Sequence, residues 1–225
     1  MNAITNTLLN LSEKEYQLFT KKLVPGTKYP ILGIRVPKIK QIIKNYDSDT
    51  LNNFTKQKHK YYEEYFLHGL IIGQEHKDLE KVLNQLDEFM PHIDNWAICD
   101  STVANLKIFK KYPNAVLDKI KKYLKSSEPY TVRFAVVGLL TYYMDDDFSI
   151  EVLSLLKNVV SNNYYVNMAV AWAFSVAVVK QPNFTIPLLE SKTLSPFIQN
   201  KTIQKSIDSF RIPIDTKKLL KQLKI

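Results

Sequence analysis

Apolar and polar positions alternate at helical spacing along most of the chain, in stretches of two kinds. Residues 134–140 and 169–174 are apolar nearly all round, whereas neighbouring stretches are apolar on one side only. The first pattern predicts a helix buried between others, and the second predicts a helix with one face in solvent. From residue 60 onward nine helices are predicted, at 61–73, 78–89, 95–111, 114–123, 129–144, 148–158, 164–180, 196–209 and 215–222.

The N-terminal sixty residues carry fewer helical signals. Ser12 and Glu15 have the spacing of a capping box, which predicts a short helix that ends before Pro25. Residues 29–36 are expected to form an extended connector, and Pro37 is expected to be the first residue of the next helix. One helix and a connector are therefore predicted ahead of Pro37.

The apolar helices recur at a nearly constant interval. They are predicted to begin near Asn95, Pro129, Tyr164 and Pro196, with spacings of 34, 35 and 32 residues. Such an interval is typical of stacked helix pairs. The pattern predicts an all-α helical repeat solenoid, an α-α superhelix whose single domain spans residues 1–225 and whose concave, basic face suits a long ligand. An ordinary helical bundle is the alternative.

Composition supports helices and indicates an anionic partner. Hydrophobic residues make up 45% of the chain, which excludes a disordered protein, and only 5 glycines leave few of the tight turns that β-barrels need. With 31 basic and 22 acidic residues the formal charge is +9, which favours nucleic acid or an anionic membrane as partner. The lone Cys99 forms no internal disulfide, and no apolar run of membrane-spanning length occurs, so a cytoplasmic protein is expected.

The strongest candidate site combines two indoles, a carboxylate and a guanidinium. Trp96 and Asp100 lie four residues apart, which places them on one helix face, and Arg133 and Trp172 lie on the next two apolar helices. Indole faces attract cations and a carboxylate stabilises developing positive charge. The set therefore suits a cationic ligand such as an alkylated purine, with Arg133 placed to hold a backbone phosphate.

Each of these residues also has an ordinary structural interpretation. A tryptophan in an apolar helix is more often part of the core. Asp100 has the alternative of stabilising the positive end of its helix dipole, and Arg133 that of a surface residue whose stem covers the previous repeat. The residues favour a site only when they are taken together.

Other chemistry is expected to be absent. The four histidines show no metal-ligand spacing, Asp145-Asp146-Asp147 is interpreted as a solvated turn that caps the following helix, and no phosphate-binding glycine loop occurs. A nucleotide hydrolase is thus excluded, and neither a metal nor another cofactor is expected. Among the lysines, Lys38, Lys201 and Lys205 are predicted to contact DNA.

At this point the chain resembles the AlkD-like DNA alkylation repair family, DNA glycosylases built from HEAT-like helical repeats. The resemblance covers most of the chain. It rests on four segments, taken in order: Ile31-Leu32-Gly33-Ile34-Arg35-Val36-Pro37, Asp94-Asn95-Trp96 with Asp100-Ser101, Val132-Arg133-Phe134-Ala135, and Tyr164-Tyr165-Val166-Asn167-Met168-Ala169-Val170-Ala171-Trp172-Ala173.

The resemblance implies a monomeric enzyme that acts on duplex DNA carrying N3- or N7-alkylated purines. It implies that Asp100 is the catalytic carboxylate, that Trp96 and Trp172 flank the deoxyribose of the lesion, and that Arg133 holds phosphate. It also implies that the damaged base stays in the helix, in contrast to the base flipping common among glycosylases.

The chain departs from the family pattern in two places. Ser175 stands where active members often carry a basic residue, and the N-terminal part is expected to be short. Two alternatives to a glycosylase therefore remain open. The first is a noncatalytic relative that binds DNA or RNA, and the second is a protein-interaction solenoid whose basic surface meets an acidic partner.

Overall fold

The computed structural model describes residues 2–145 and 148–225. Within these ranges the regular secondary structure is helical and no strand occurs, so the predicted all-α class is confirmed. The α-helices are α1 Ala3–Asn10, α2 Lys14–Leu23, α3 Val36–Asn45, α4 Ser48–Thr55, α5 Tyr62–Ile72, α6 Leu79–Phe89, α7 Trp96–Asn105, α8 Pro113–Tyr123, α9 Pro129–Tyr142, α10 Ser149–Lys157, α11 Tyr164–Lys180, α12 Pro182–Glu190, α13 Pro196–Asp208 and α14 Ile214–Gln222.

The helices form two compact units, Met1–Tyr112 and Pro113–Ile225. In the first unit α5 is the central element, and it packs against α1, α3, α4, α6 and α7. Of its residues only His68 is not buried. A helix that is apolar nearly all round has to be covered on every side, which explains this central position.

The second unit shows the predicted repeat directly. Helices α9, α11 and α13 begin at Pro129, Tyr164 and Pro196, as predicted. Helix α11 packs on both α9 and α13, while α8 covers α9 and α14 covers α13. The apolar helices therefore stack on one another and the amphipathic ones flank them, as in a helical repeat protein. No helix of the described residues combines the length and apolarity needed to cross a bilayer.

The N-terminal prediction was wrong in two respects. Two helices, α1 and α2, precede Pro37, because Asn2 caps α1 by accepting a hydrogen bond from the Thr5 amide at 2.7 Å. The capping box at Ser12 does not form. Helix α2 begins after Glu13, which makes no side-chain cap and instead bonds to Arg35 and Lys38. The N-terminal region thus contains one more helix than the sequence predicted.

Three further differences concern helix ends and short helices. Helix α7 stops at Asn105, and residues Lys107–Lys111 continue as a 3-10 helix rather than as part of α7. Helix α3 begins at Val36, one residue before the predicted start at Pro37. Helices α4 and α12 were not predicted, and α12 contains the internal proline Pro187, which argues against a helix when only sequence is considered. Asp146 and Asp147 of the predicted acidic turn lie outside the described residues.

Candidate functional site

The start of α7 is fixed by two neighbouring polar residues. The buried side chain of Asn95 accepts hydrogen bonds from the amides of Ala97 at 3.1 Å and Ile98 at 3.0 Å, and so caps the helix. Asp94 accepts hydrogen bonds from the Asn95 side chain at 2.7 Å and from the Lys28 amide at 2.7 Å. These bonds tie the first turn of α7 to the loop that follows α2.

Trp96 is held to that same part of the first unit. Its indole Nε1 donates a hydrogen bond of 2.8 Å to the backbone oxygen of Leu23, at the C-terminal end of α2. The carbonyls of a last helical turn have no partner within the helix, so this bond satisfies one of them. The ring of Trp96 therefore has a fixed orientation while it stays half-buried.

The loop before α3 positions α2 and hence Leu23. Gly33 has a φ of +86°, and a Cβ there would lie 2.3 Å from the backbone nitrogen of Gln17 in α2. The buried carboxylate of Glu63 accepts hydrogen bonds from the amides of Leu32 at 2.9 Å and Gly33 at 2.7 Å. Burial raises the pKa of Glu63, and the amide hydrogen bonds oppose that rise. This loop thus holds α2 close enough to fix the indole.

A small pocket of about 150 Å³ lies beside Trp96 in the first unit. Tyr62 is buried in its wall, and burial raises the pKa of the Tyr62 phenol, so its hydroxyl stays protonated at neutral pH. The pocket is mostly apolar, and its lining includes Tyr16, Thr20, Leu23, Phe66, Trp96 and Ser101.

Asp100 lies one turn after Trp96 in α7 and is half-buried. Residues four apart share a helix face, so the carboxylate and the indole are neighbours on α7. The helix N-terminus is already capped by Asn95, and Asp100 is the fifth helical residue. Asn95 therefore already caps the helix, and this weakens the interpretation that Asp100 serves to stabilise the positive end of the helix dipole.

The second unit contains the other predicted indole. Trp172 lies in the middle of α11 and is 37% exposed, so it is not a core residue. One turn later, Ser175 is buried and donates a hydrogen bond of 2.7 Å to the Trp172 carbonyl. The Ser175 hydroxyl is therefore directed at the backbone of its own helix.

Arg133 is buried rather than a surface residue, with only 6% of it exposed. Its Nη1 donates a hydrogen bond of 2.6 Å to the backbone oxygen of Tyr165, in the first turn of α11. The guanidinium therefore links α9 to α11. Its predicted contact with phosphate remains a prediction.

The three predicted DNA-binding lysines have different surroundings. Lys38 is exposed on α3 and pairs with Glu13 at 2.8 Å. Lys201 is exposed and Lys205 is half-buried, one turn apart on α13. Exposed ion pairs stabilise proteins by about 0–1 kcal/mol, so the bond to Glu13 does not commit Lys38 to one role.

Trp96 and Asp100 were candidates from the sequence, whereas the residues that fix Trp96 and the start of α7 were not. Asn95 was visible as part of a motif, and its place directly before an apolar helix is the signal of an N-cap. The contribution of Leu23 has no sequence signal, because its backbone oxygen is the contact and it lies 73 positions from Trp96.

The fold and the first-unit site together define a helical repeat protein that presents an indole and a carboxylate one turn apart on an apolar helix. The chain belongs to the DNA alkylation repair enzyme family, whose family model matches residues 4–203. No curated protein matches the chain. The family confirms the resemblance seen in the sequence, and it supports a role in DNA alkylation repair with DNA as the partner.

Proposed function

We propose that the protein excises cationic N3- and N7-alkylated purines from duplex DNA by hydrolysing the N-glycosidic bond. The observation that carries the proposal is the pairing of Trp96 and Asp100 on α7, with the indole fixed by its bond to Leu23. In a member of a DNA alkylation repair family, this pairing suits a transition state that carries positive charge on the sugar.

The chemistry follows from the charge of the substrate. As the bond between C1′ and the purine nitrogen breaks, its electron pair passes to the cationic base, which leaves as a neutral molecule. Positive charge then develops on the deoxyribose, next to the carboxylate of Asp100. Water adds its oxygen to C1′ and transfers a proton to Asp100. Because the base is already a good leaving group, the reaction needs no metal, no organic cofactor and no separate acid.

The remaining predicted residues are assigned to binding. We assign Trp172, which is exposed on α11, to flank the deoxyribose of the lesion with its indole face. We assign phosphate contacts to Arg133, Lys38, Lys201 and Lys205. We further propose that the protein is cytoplasmic and that it is a monomer. Its mass in solution tests whether it is a monomer.

Excision is tested with a duplex that contains N7-methylguanine, by chromatography of the free base. Asp100→Asn removes the charge with little change in shape, and it should lower the release rate by a factor of about 10²–10³ while duplex binding persists. Asp215→Asn is the matched control, since Asp215 is an exposed carboxylate on α14, beyond the matched residues. This control should keep the wild-type rate.

Other outcomes identify the alternatives. If the wild type binds the duplex with a steep salt dependence and releases no base, the protein is a noncatalytic nucleic-acid binder and the proposal is wrong. If neither binding nor release occurs, a protein-interaction role takes its place.

A further inference from the structure

A second and larger cleft lies elsewhere in the first unit. It has a volume of about 680 Å³ and is lined by α4, α5, α6 and the turn after α6. None of its lining residues belongs to the pocket beside Trp96. Clefts of about 300–1,000 Å³ are the usual size of small-molecule sites. The cleft has no part in the proposed excision reaction.

One wall of the cleft is the end of a column of aromatic rings. Tyr65 stacks on Tyr29 with ring centroids 3.9 Å apart, and on His92 with centroids 5.3 Å apart. Both ring pairs are inclined by 27°. Tyr65 is buried in the middle, whereas His92 is exposed and lines the cleft. A planar ligand ring extends such a column by stacking on its exposed end.

A pair of imidazoles lines the same cleft. His59 Nε2 and His68 Nδ1 are 3.0 Å apart, and both residues line the cleft. Burial lowers the pKa of His59 to about 4 and that of His68 to about 3, so both rings are neutral at pH 7. Whichever ring donates the shared proton, the pair keeps one N–H donor and one bare nitrogen acceptor for other partners. This combination matches the mixed donor and acceptor edge of a nucleobase.

The mouth of the cleft is basic. Lys56 and Lys58 are exposed lining residues, and neither forms an ion pair within the described part of the chain. A third lining lysine, Lys81, bonds to Glu75 at 3.1 Å, and Glu88 is the acidic lining residue. Two lysine ammonium groups without a carboxylate partner favour a phosphate group at this position.

We propose that this cleft binds a nucleoside monophosphate. The base stacks on His92 and bonds to the His59–His68 pair, and the phosphate lies against Lys56 and Lys58. A metal ion is a poorer occupant, because the two imidazoles bond to each other and no group of three metal-ligating side chains occurs among the described residues. An apolar ligand is also a poorer occupant, since it would cover the imidazoles and ammonium groups of the lining without bonding to them.

The proposal is tested by titrating the purified protein with adenosine monophosphate, with calorimetry and with NMR of the four histidine side chains as readouts. Signals of His59, His68 and His92 should shift, and the signal of the exposed His76 should not. Adenosine alone and inorganic phosphate alone should each bind at least tenfold more weakly than the nucleotide. Equal binding by either component would overturn the proposal.

Variants separate the two halves of the site. Lys56→Ala combined with Lys58→Ala should weaken nucleotide binding about tenfold or more, while Lys44→Ala, an exposed lysine on α3, should have no effect. His92→Ala should weaken binding about tenfold, whereas His92→Phe retains a stacking ring and should restore most of it. Circular dichroism confirms that each variant is folded. If the cleft variants and Lys44→Ala bind alike, the nucleotide lies elsewhere and the proposal fails, whatever the excision assay shows.

Discussion

At the residue scale, the orientation of Trp96 depends on one hydrogen bond that reaches across the first unit. The spacing of Trp96 and Asp100 was predictable from the sequence, because residues four apart must share a helix face. The bond from the indole to the Leu23 backbone was not predictable, since any residue at position 23 supplies the same carbonyl oxygen. The burial of Arg133 was also not predictable, because it arises from the packing of α9 on α11.

Replacing Trp96 by Phe tests the importance of this bond. The ring remains aromatic but loses its N–H donor, so the free energy of unfolding should fall by about 0.5–1.5 kcal/mol. The rate of base release should fall about tenfold, because the ring is no longer fixed beside Asp100. Trp172→Phe is the control for stability, since this exposed side chain should change the unfolding free energy by less than about 0.5 kcal/mol. Equal losses of stability in both variants would show that the bond is unimportant.

Replacing Arg133 by Ala distinguishes phosphate binding from a purely structural link. We expect duplex affinity to fall by about 1–3 kcal/mol, and the slope of log affinity against log salt to decrease by about 1. Stability should fall as well, because the Tyr165 carbonyl loses its partner. Arg211→Ala, at an exposed position outside the matched residues, serves as control. A destabilised variant with unchanged affinity and slope would assign Arg133 to the link alone.

Burial of His59 and His68 makes stability depend on pH. Unfolded histidine has a pKa of about 6.5, whereas burial lowers the pKa of His59 to about 4 and that of His68 to about 3 in the folded protein. Between pH 6.5 and pH 4 the unfolded chain therefore binds more protons than the folded protein does. The stabilising contribution of the two neutral rings is fully present above pH 6.5, and it decreases as the pH falls toward 4. Melting temperatures across this range measure the effect.

The matched variants for this prediction are His68→Gln and His76→Gln. The first removes the half-buried imidazole of His68 and should flatten the decline in melting temperature between pH 6.5 and 4, whereas the second changes an exposed residue and should not. The same slope in both variants would show that the His59–His68 pair is not its source.

At the scale of elements, the sequence located most helices correctly but not all of their ends. Helix α11 was predicted at its observed bounds, because a long apolar run begins after Asn163 and ends at Lys180. Helices α1, α4 and α12 were missed; each is only eight or nine residues long, so little more than two helical turns are available in which to recognise a pattern. The true end of α7 was hidden because apolar residues continue into the 3-10 helix that follows.

The contact of α2 with the loop at Gly33 allows a test with a matched pair of glycines. Gly26 and Gly33 both have a φ of +86°. A Cβ at Gly33 would clash with backbone atoms of α2, whereas a Cβ at Gly26 would have no neighbour within 4 Å. Gly26→Ala should cost about 1–2 kcal/mol of stability through backbone strain alone, and Gly33→Ala should cost at least about 3 kcal/mol. Urea denaturation provides the measurement. Similar costs would mean that α2 moves away from the loop without penalty.

At the scale of the whole molecule, charge and repeat spacing were the informative features of the sequence. The spacing of the apolar helices predicted a helical repeat protein, and the formal charge of +9 indicated a polyanionic partner, in agreement with the family that matches residues 4–203. Neither feature revealed the cleft at His59, His68 and His92. These residues come from different elements, and only folding brings them to one surface.

We propose that the protein accelerates cleavage of the bond between a cationic purine and its deoxyribose. The most direct measurement compares the release of N7-methylguanine from duplex DNA by the wild-type protein with spontaneous depurination of the same duplex. We expect release far above the spontaneous rate, reduced nearly to that rate by Asp100→Asn. A wild-type rate equal to the spontaneous one, on DNA that the protein demonstrably binds, would contradict the proposed excision.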